Sequence, residues 1–306
     1  MIYLDFFKAL VYTAVFSLAL TPFDFKLASA VGAIDIPKDK RRMHTRPIPR
    51  LGGISIFLSF AFFCLFFCFR ISNQISGFFV GAVIIISLGI IDDSISLSAK
   101  SKLFAQICAS ILAIVGLGRV SIFSGITVIL GILWLLTLTN AHNFIDGLDG
   151  LCAGISLIEA MAMGILFLLA DSRDFGIFAF IVGGACIGFL PYNDNNAKIF
   201  MGDTGSAFLG FALAFISWNF ILSVGSVSAL ISMLLVFSIP ICDITFAVAR
   251  RIIKGNSPFE PDRSHIHHIL ADSTLGHKKA SLIMRIAALY FALSGIAFYF
   301  LAKDFL

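Results

Sequence analysis

The chain has 306 residues, 59% of them hydrophobic and 13% charged, with a net charge of +4 and a mean hydropathy of +0.99. A soluble domain carries about 25% charged residues, and no water-soluble fold of this length hides so much apolar surface. A soluble globular protein is excluded, and a polytopic membrane protein is indicated.

A spanning helix needs roughly 20 apolar residues. The sequence predicts about ten of them in one all-α integral-membrane domain covering residues 1–306. In chain order they lie near 4–22, 52–69, 76–91, 102–118, 122–139, 148–170, 175–192, 205–222, 226–248 and 281–302. The first is read as a retained span, since no small-residue cleavage site follows a short apolar core. Cys64, Cys68, Cys108, Cys152, Cys186 and Cys242 lie in or beside apolar runs without a CxxC pair. They read as small hydrophobes, neither disulfides nor metal ligands.

Lysine and arginine set the orientation. Seventeen of the 22 basic residues fall in one set of loops, which is therefore assigned to the cytoplasm. Ten spans then put both termini outside. All six histidines share the cytoplasmic side, as do Asp35, Asp92, Asp93, Asp146, Asp149, Asp194, Asp203 and Asp262. A transporter more often places its polar groups near the midplane. Here only Glu159 and Asp243 are candidates for such a place, and Glu159 reads as a hydrogen-bond partner inside a helix. The pattern is that of an enzyme working at the membrane surface.

Five polar segments carry the chemistry. The first, "DIPKDKRRMHTRPIPRLGG", is stiffened by Pro37, Pro47 and Pro49,. Its Gly52-Gly53 pair permits close backbone approach to a ligand. Arg42, His44, Arg46 and Arg50 in such a loop suit phosphate oxygens, while Lys38, Lys40 and Arg41 serve equally as a positive-inside anchor. The second, "GIIDDSISLSAKSK", sets Asp92 and Asp93 after an apolar run. Adjacent carboxylates at the bilayer edge need solvent, a partner or a cation. They suggest a proton acceptor or a cation site, with an N-cap as the other reading.

The third, "NAHNFIDGLDGL", spaces Asn140, Asn143, Asp146 and Asp149 by three residues, so a helix would place them on one broad face,. Oxygen ligands suit a hard cation such as Mg²⁺, and capping needs one such residue rather than four. The fourth, "YNDNNAKIFMGDTGSAFLG", sets Asp203 between Gly202 and Gly205 at the mouth of a span, as an N-cap or a metal ligand,. It is not a phosphate-loop motif, which needs a Lys beside the Ser or Thr. The fifth, "GNSPFEPDRSHIHHILADSTLGHKK", gathers Arg263, His265, His267 and His268. The spacing is wrong for zinc and better suited to phosphate or sugar contact.

In this order "RRMHTRPIPRLGG", "DD", "NAHNFIDGLDGL", "FMGDTGS" and "SPFEPDRSHIHH" resemble the polyprenyl-phosphate N-acetylhexosamine-1-phosphate transferases over nearly the whole chain. "PRLGG" and "HIHH" look like the bacterial branch that starts O-antigen, enterobacterial common antigen and wall teichoic acid synthesis. They look less like the phospho-N-acetylmuramoyl-pentapeptide transferases. The resemblance implies a multi-pass protein of the bacterial plasma membrane. It implies transfer of N-acetylglucosamine 1-phosphate from UDP-N-acetylglucosamine to undecaprenyl phosphate with release of UMP. It implies Mg²⁺, with Mn²⁺ as a substitute, held at Asn143 and Asp203. Asp92 then serves as base for the lipid phosphate with Asp93 beside it, Asp149 lies near the uridine, and Asp146 is a further substrate-binding candidate. His265, His267, His268 and Arg263 face the sugar-phosphate or pyrophosphate end of the donor. Arg42, His44 and Arg50 are the further phosphate candidates. No nucleic acid is implied, and a homodimer is left open. The alternatives are another UDP-N-acetylhexosamine donor or, in a different class, a lipid-linked sugar transporter. Attack is direct and in line, or runs through a covalent aspartyl-phosphate.

Overall fold

The computed structural model describes residues 2–37, 46–68, 72–117, 125–255 and 265–302. The apolar runs form α1 (Ile2–Val31), α2 (Gly53–Phe67), α3 (Ser72–Ile95), α4 (Ala99–Gly116), α5 (Gly125–Ile145), α6 (Leu151–Leu169), α7 (Arg173–Asn193) and α8 (Gly202–Val224). They are followed by α9 (Val227–Val236), α10 (Ser238–Ile253), the short α11 (Ile266–Asp272) and α12 (Gly276–Ala302). Helices satisfy their own backbone groups, which is why a chain in lipid adopts them. A two-residue ladder, β1 (Ile34–Asp35) antiparallel to β2 (Ile48–Pro49), ties down the loop between α1 and α2.

All ten expected apolar segments are helical, but not all are single spans. Among the described residues eight helices are long and apolar enough to cross a bilayer, or nine if α9 and α10 count as one span bent by 75°. The helix α2 has 15 residues, too few for a full crossing by itself,. The helix α1 runs beyond its expected end at 22. Asp24 interrupts the apolar pattern, yet it is buried and accepts the Ser55 N–H at 3.1 Å, so the polar group costs little where it stands,.

The helix α8 is the central post, packed by α2, α3, α5 and α6. Its mid-section meets a phenylalanine cluster that includes Phe60, Phe78, Phe178, Phe208, Phe211 and Phe215, with the Phe78 and Phe215 rings 4.7 Å apart. The outer faces of α1, α4, α5 and α12 expose large apolar side chains such as Phe7, Phe104, Ile126 and Leu289, as lipid contact requires,. At one end the backbones converge. A Cβ on Gly53 would run into the Gly205 backbone, and one on Gly89 into the Thr204 backbone. Only glycine lets α2 and α3 close on the first turn of α8, and the polar segments gather at that junction.

Candidate active site

The helix α5 continues through Asn143 to Ile145. The chain then turns across 146–150, with Gly150 at φ 66°, before α6 begins. Asn143, Asp146 and Asp149 all line one cavity of about 1060 Å³. Asn140 does not: it pairs with Gln106 of α4, donating to Oε1 at 2.8 Å. The broad polar face expected of this segment is thus split between the cavity and a helix contact. Asn143 donates to Ser206 Oγ at 3.1 Å. Asp149 accepts the backbone N–H groups of Asn196 and Ala197 at 3.0 and 2.8 Å, which binds the turn to the loop before α8. Asn193 accepts Gly150 N–H at 3.1 Å and reinforces the same joint.

Asp203, in the first turn of α8, stands on the cavity wall. Its other side meets Lys102, whose Nζ lies 2.8 Å from Asp203 Oδ2 and 2.8 Å from Asp92 Oδ2. The lysine therefore bridges the two carboxylates. Asp92 also accepts Leu97 N–H at 2.6 Å, bracing the turn after α3.

The two adjacent aspartates have different surroundings. Asp93 accepts Thr204 Oγ1 at 2.7 Å, Thr204 N–H at 3.0 Å and Asp203 N–H at 3.1 Å, and it pairs with Arg50 at 3.2 Å. It caps α8 and fixes Arg50. Asp92 is the one that points toward Lys102.

The cavity wall also carries Arg50 and Arg46 from the loop before α2, His268 from α11, and Lys278, Lys279 and Arg285 from α12. The carboxylates crowd one another. Burial first, then the Asp203 and Asp93 carboxylates, push the Asp146 carboxyl up to about 8.

The three histidines of the fifth segment part company. His265 Nδ1 lies 2.8 Å from Asp243 Oδ2, and Asp243 Oδ1 accepts the Ile266 N–H at 2.7 Å, so α10 anchors the segment. His267 is fully buried, packs behind Gly147, and has no hydrogen bond to either ring nitrogen. Burial holds it down at about 3, hence neutral. His268 alone of the three lines the cavity. The His267 ring lies under the 146–150 turn among polar neighbours, 4.2 Å from the His268 ring and with Nδ1 3.8 Å from Asp243 Oδ2, rather than open to the cavity. Arg42, His44 and Arg263 lie outside the described residues.

Lys102 was read from sequence only as one more cytoplasmic charge. Its place at the start of α4, ten residues after Asp92, is a signal visible once both helices are drawn. Lys278 and Lys279 line the cavity from α12. Asp243 reads in sequence only as a polar group within a span, since its histidine partner comes from a separate element.

Residues 75–221 match the family model described as glycosyl transferase family 4. A Bacillus subtilis (strain 168) protein named probable undecaprenyl-phosphate N-acetylglucosaminyl 1-phosphate transferase is 35% identical, across 91% of this chain and 81% of its own length. The chain belongs to glycosyltransferase family 4. The decaprenyl-phosphate N-acetylglucosaminephosphotransferase of Mycobacterium tuberculosis (strain ATCC 25618 / H37Rv) is 32% identical over 84% of this chain and 74% of that protein. The undecaprenyl-phosphate alpha-N-acetylglucosaminyl 1-phosphate transferase of Thermotoga maritima is 32% identical over 95% and 91%. Within family 4, these relatives put the chain in the bacterial polyprenyl-phosphate N-acetylhexosamine-1-phosphate transferase branch.

A divalent cation is the cofactor that this branch of family 4 suggests. Among the described residues no group of three or more histidine, cysteine, aspartate or glutamate side chains is arranged to hold a metal by itself. Mg²⁺ does not require one, since it is commonly held by one or two protein oxygens plus substrate phosphates. Asn143 and Asp203 supply such oxygens on one wall, and the charge crowding at Asp146 is what a nearby cation relieves. The residues fit a hard cation in that mode.

Proposed function

We propose that the chain transfers N-acetylglucosamine 1-phosphate from UDP-N-acetylglucosamine to undecaprenyl phosphate, releases UMP, and so begins a lipid-linked surface polysaccharide or teichoic acid. The relatives' names support an N-acetylhexosamine 1-phosphate donor and a polyprenyl phosphate acceptor. The observation that carries the reading is the position of Asp203. It faces a cavity sized for a nucleotide sugar on one side and the Lys102–Asp92 pair on the other.

In this reading the cavity takes the donor. Asp149 and the 193–197 loop hold the nucleoside end, while Arg50, Arg46 and His268 meet the diphosphate. The family resemblance assigns Arg42, His44 and Arg263 to phosphate contact as well, while His265 and His267 shape the site behind His268. Mg²⁺ at Asn143 and Asp203 would neutralise the diphosphate and stabilise the departing UMP. The lipid phosphate approaches from the Lys102 side, where the ammonium screens its charge. Asp92 takes its proton if one remains. The lipid phosphate oxygen attacks the phosphorus bearing the sugar, in line, and the bond from that phosphorus to the UMP oxygen breaks. Asp93 holds the first turn of α8 so that Asp203 stays in register. The site faces the cytoplasm, which is supported by the excess of lysine and arginine in the loops around it,.

Purified protein supplied with undecaprenyl phosphate, Mg²⁺ and a panel of UDP-sugars tests this. The expected lipid product has the mass of the N-acetylglucosamine diphosphate adduct. A product with another sugar and none from UDP-N-acetylglucosamine overturns the donor assignment.

A further inference from the structure

The transfer chemistry makes no use of one fully buried ionisable pair. His142 of α5 and Glu159 of α6 are both sealed from solvent, with Nε2 and Oε2 2.7 Å apart. His142 Nδ1 lies 2.9 Å from the Leu138 carbonyl oxygen. A carbonyl only accepts, so Nδ1 carries a proton, and a second proton lies between Nε2 and Oε2 whichever atom holds it. Such a pair is costly inside a membrane bundle and weak as a source of stability. Its location offers a reason for it.

His142 immediately precedes Asn143, and its backbone carbonyl accepts Cys152 Sγ–H at 3.4 Å from the first turn of α6. Two side-chain hydrogen bonds thus tie α5 to α6, and both run through His142. The two helices otherwise lean on different neighbours, α5 mainly on α8 and α6 mainly on α7. On the α8 side Gly210 presents no side chain, so the α8 backbone comes up against Thr139 and His142. The Phe237 ring closes a further side, 6.4 Å away. The imidazole is therefore held on several sides at the base of the 146–150 turn.

We propose that His142 and Glu159 form a positioning strut that fixes the end of α5 against α6 and thereby sets Asn143 relative to Asp146 and Asp149. Neither residue touches substrate. The inference rests on the reading of Asn143 as a cation ligand, and it makes this pair the outer support of that ligand.

The test compares His142→Ala, Glu159→Ala and the double variant by two readouts. One is hydrogen exchange of the 144–150 amides, and the other is the Mg²⁺ concentration that gives half of the maximal thermal shift. Each single variant is expected to lose protection in the turn while α8 keeps its own. Each is expected to raise the Mg²⁺ midpoint by about 10- to 100-fold, as loss of a ligand's outer support does. The double variant should be no worse than the worse single one, because the two side chains act as one unit. Unchanged turn protection and midpoint in folded Glu159→Ala overturns the strut, as does a double variant whose loss is the product of the singles. If the alanine variants do not fold, Glu159→Gln carries the same criteria with a smaller effect, since a neutral hydrogen bond replaces a charge-assisted one. A wild-type protein indifferent to Mg²⁺ contradicts the metal reading, and amide exchange in the turn still decides the strut.

Discussion

Asp146 carries the least comfortable charge on the cavity wall, since burial and the nearby Asp203 and Asp93 carboxylates raise it to about 8. Its folded value lies above its unfolded one near 3.8. The folded protein therefore binds the extra proton between those values. The associated stability is fully present below the unfolded value and is lost as pH rises through about 8,. Asp146→Asn removes that dependence. Thermal melting without divalent cations should show the wild type losing ground to the Asn variant from pH 5 to pH 9, with Mg²⁺ narrowing the gap. A gap that is flat across this range contradicts the crowding. Asp92 allows a different pH test. A lipid phosphate has a second pKa of about 6, by analogy with other phosphomonoesters. Asp92→Asn should therefore lower turnover strongly at mildly acidic pH and recover partly as the lipid phosphate ionises by itself. An equal loss across the range contradicts a base. Single residues were legible in sequence as far as their place goes: Asn143 and Asp203, expected at one site, line the same cavity. Lys102 was not, because a lysine at a helix start looks the same whether it faces water or bridges two carboxylates.

At the scale of elements, the site exists because α2, α3 and α8 meet at glycine. Gly89→Leu should drive a side chain into the Thr204 backbone, lift α3 from α8 and break the bonds from Thr204 and Asp203 to Asp93. Overpacking of this kind costs about 1–3 kcal/mol, and here it also unseats Asp203. Gly125→Leu is the control, since among the described residues nothing lies within 4 Å of its added Cβ. Detergent-stable yield and UMP release should fall for the first and hold for the second. Equal behaviour of the two contradicts the junction. The helices themselves were legible from apolar runs, down to the ten segments. Their ends were not. Asp24 extends α1 because Ser55, about thirty residues away, supplies its partner. The bend between α9 and α10 comes just before Pro240, in the first turn of α10, a signal that the hydropathy of the 226–248 segment does not carry,.

At the scale of the molecule, Asp146, Asp149 and Asp203 line one cavity with Arg46, Arg50, Lys278, Lys279 and Arg285, while apolar side chains cover the outer faces of the bundle. In the proposed reading, that arrangement lets a water-borne nucleotide sugar and a lipid-borne phosphate meet at the same carboxylate, Asp203. The general plan could be read from composition and five short motifs. The division of the site into a cavity and a Lys102–Asp92 side could not, because it depends on how α3, α4 and α8 are packed together. The most direct test is Mg²⁺-dependent UMP release from UDP-N-acetylglucosamine with undecaprenyl phosphate, measured for the wild type and for Asp203→Ala at saturating substrates. The wild type should release UMP in step with lipid product and stop when Mg²⁺ is chelated. The folded Asp203→Ala protein should be slower by at least about 100-fold, the scale of losing a main electrostatic contact to the reacting phosphate. Near-normal release by Asp203→Ala, or release by the wild type that persists in chelator, would contradict the account.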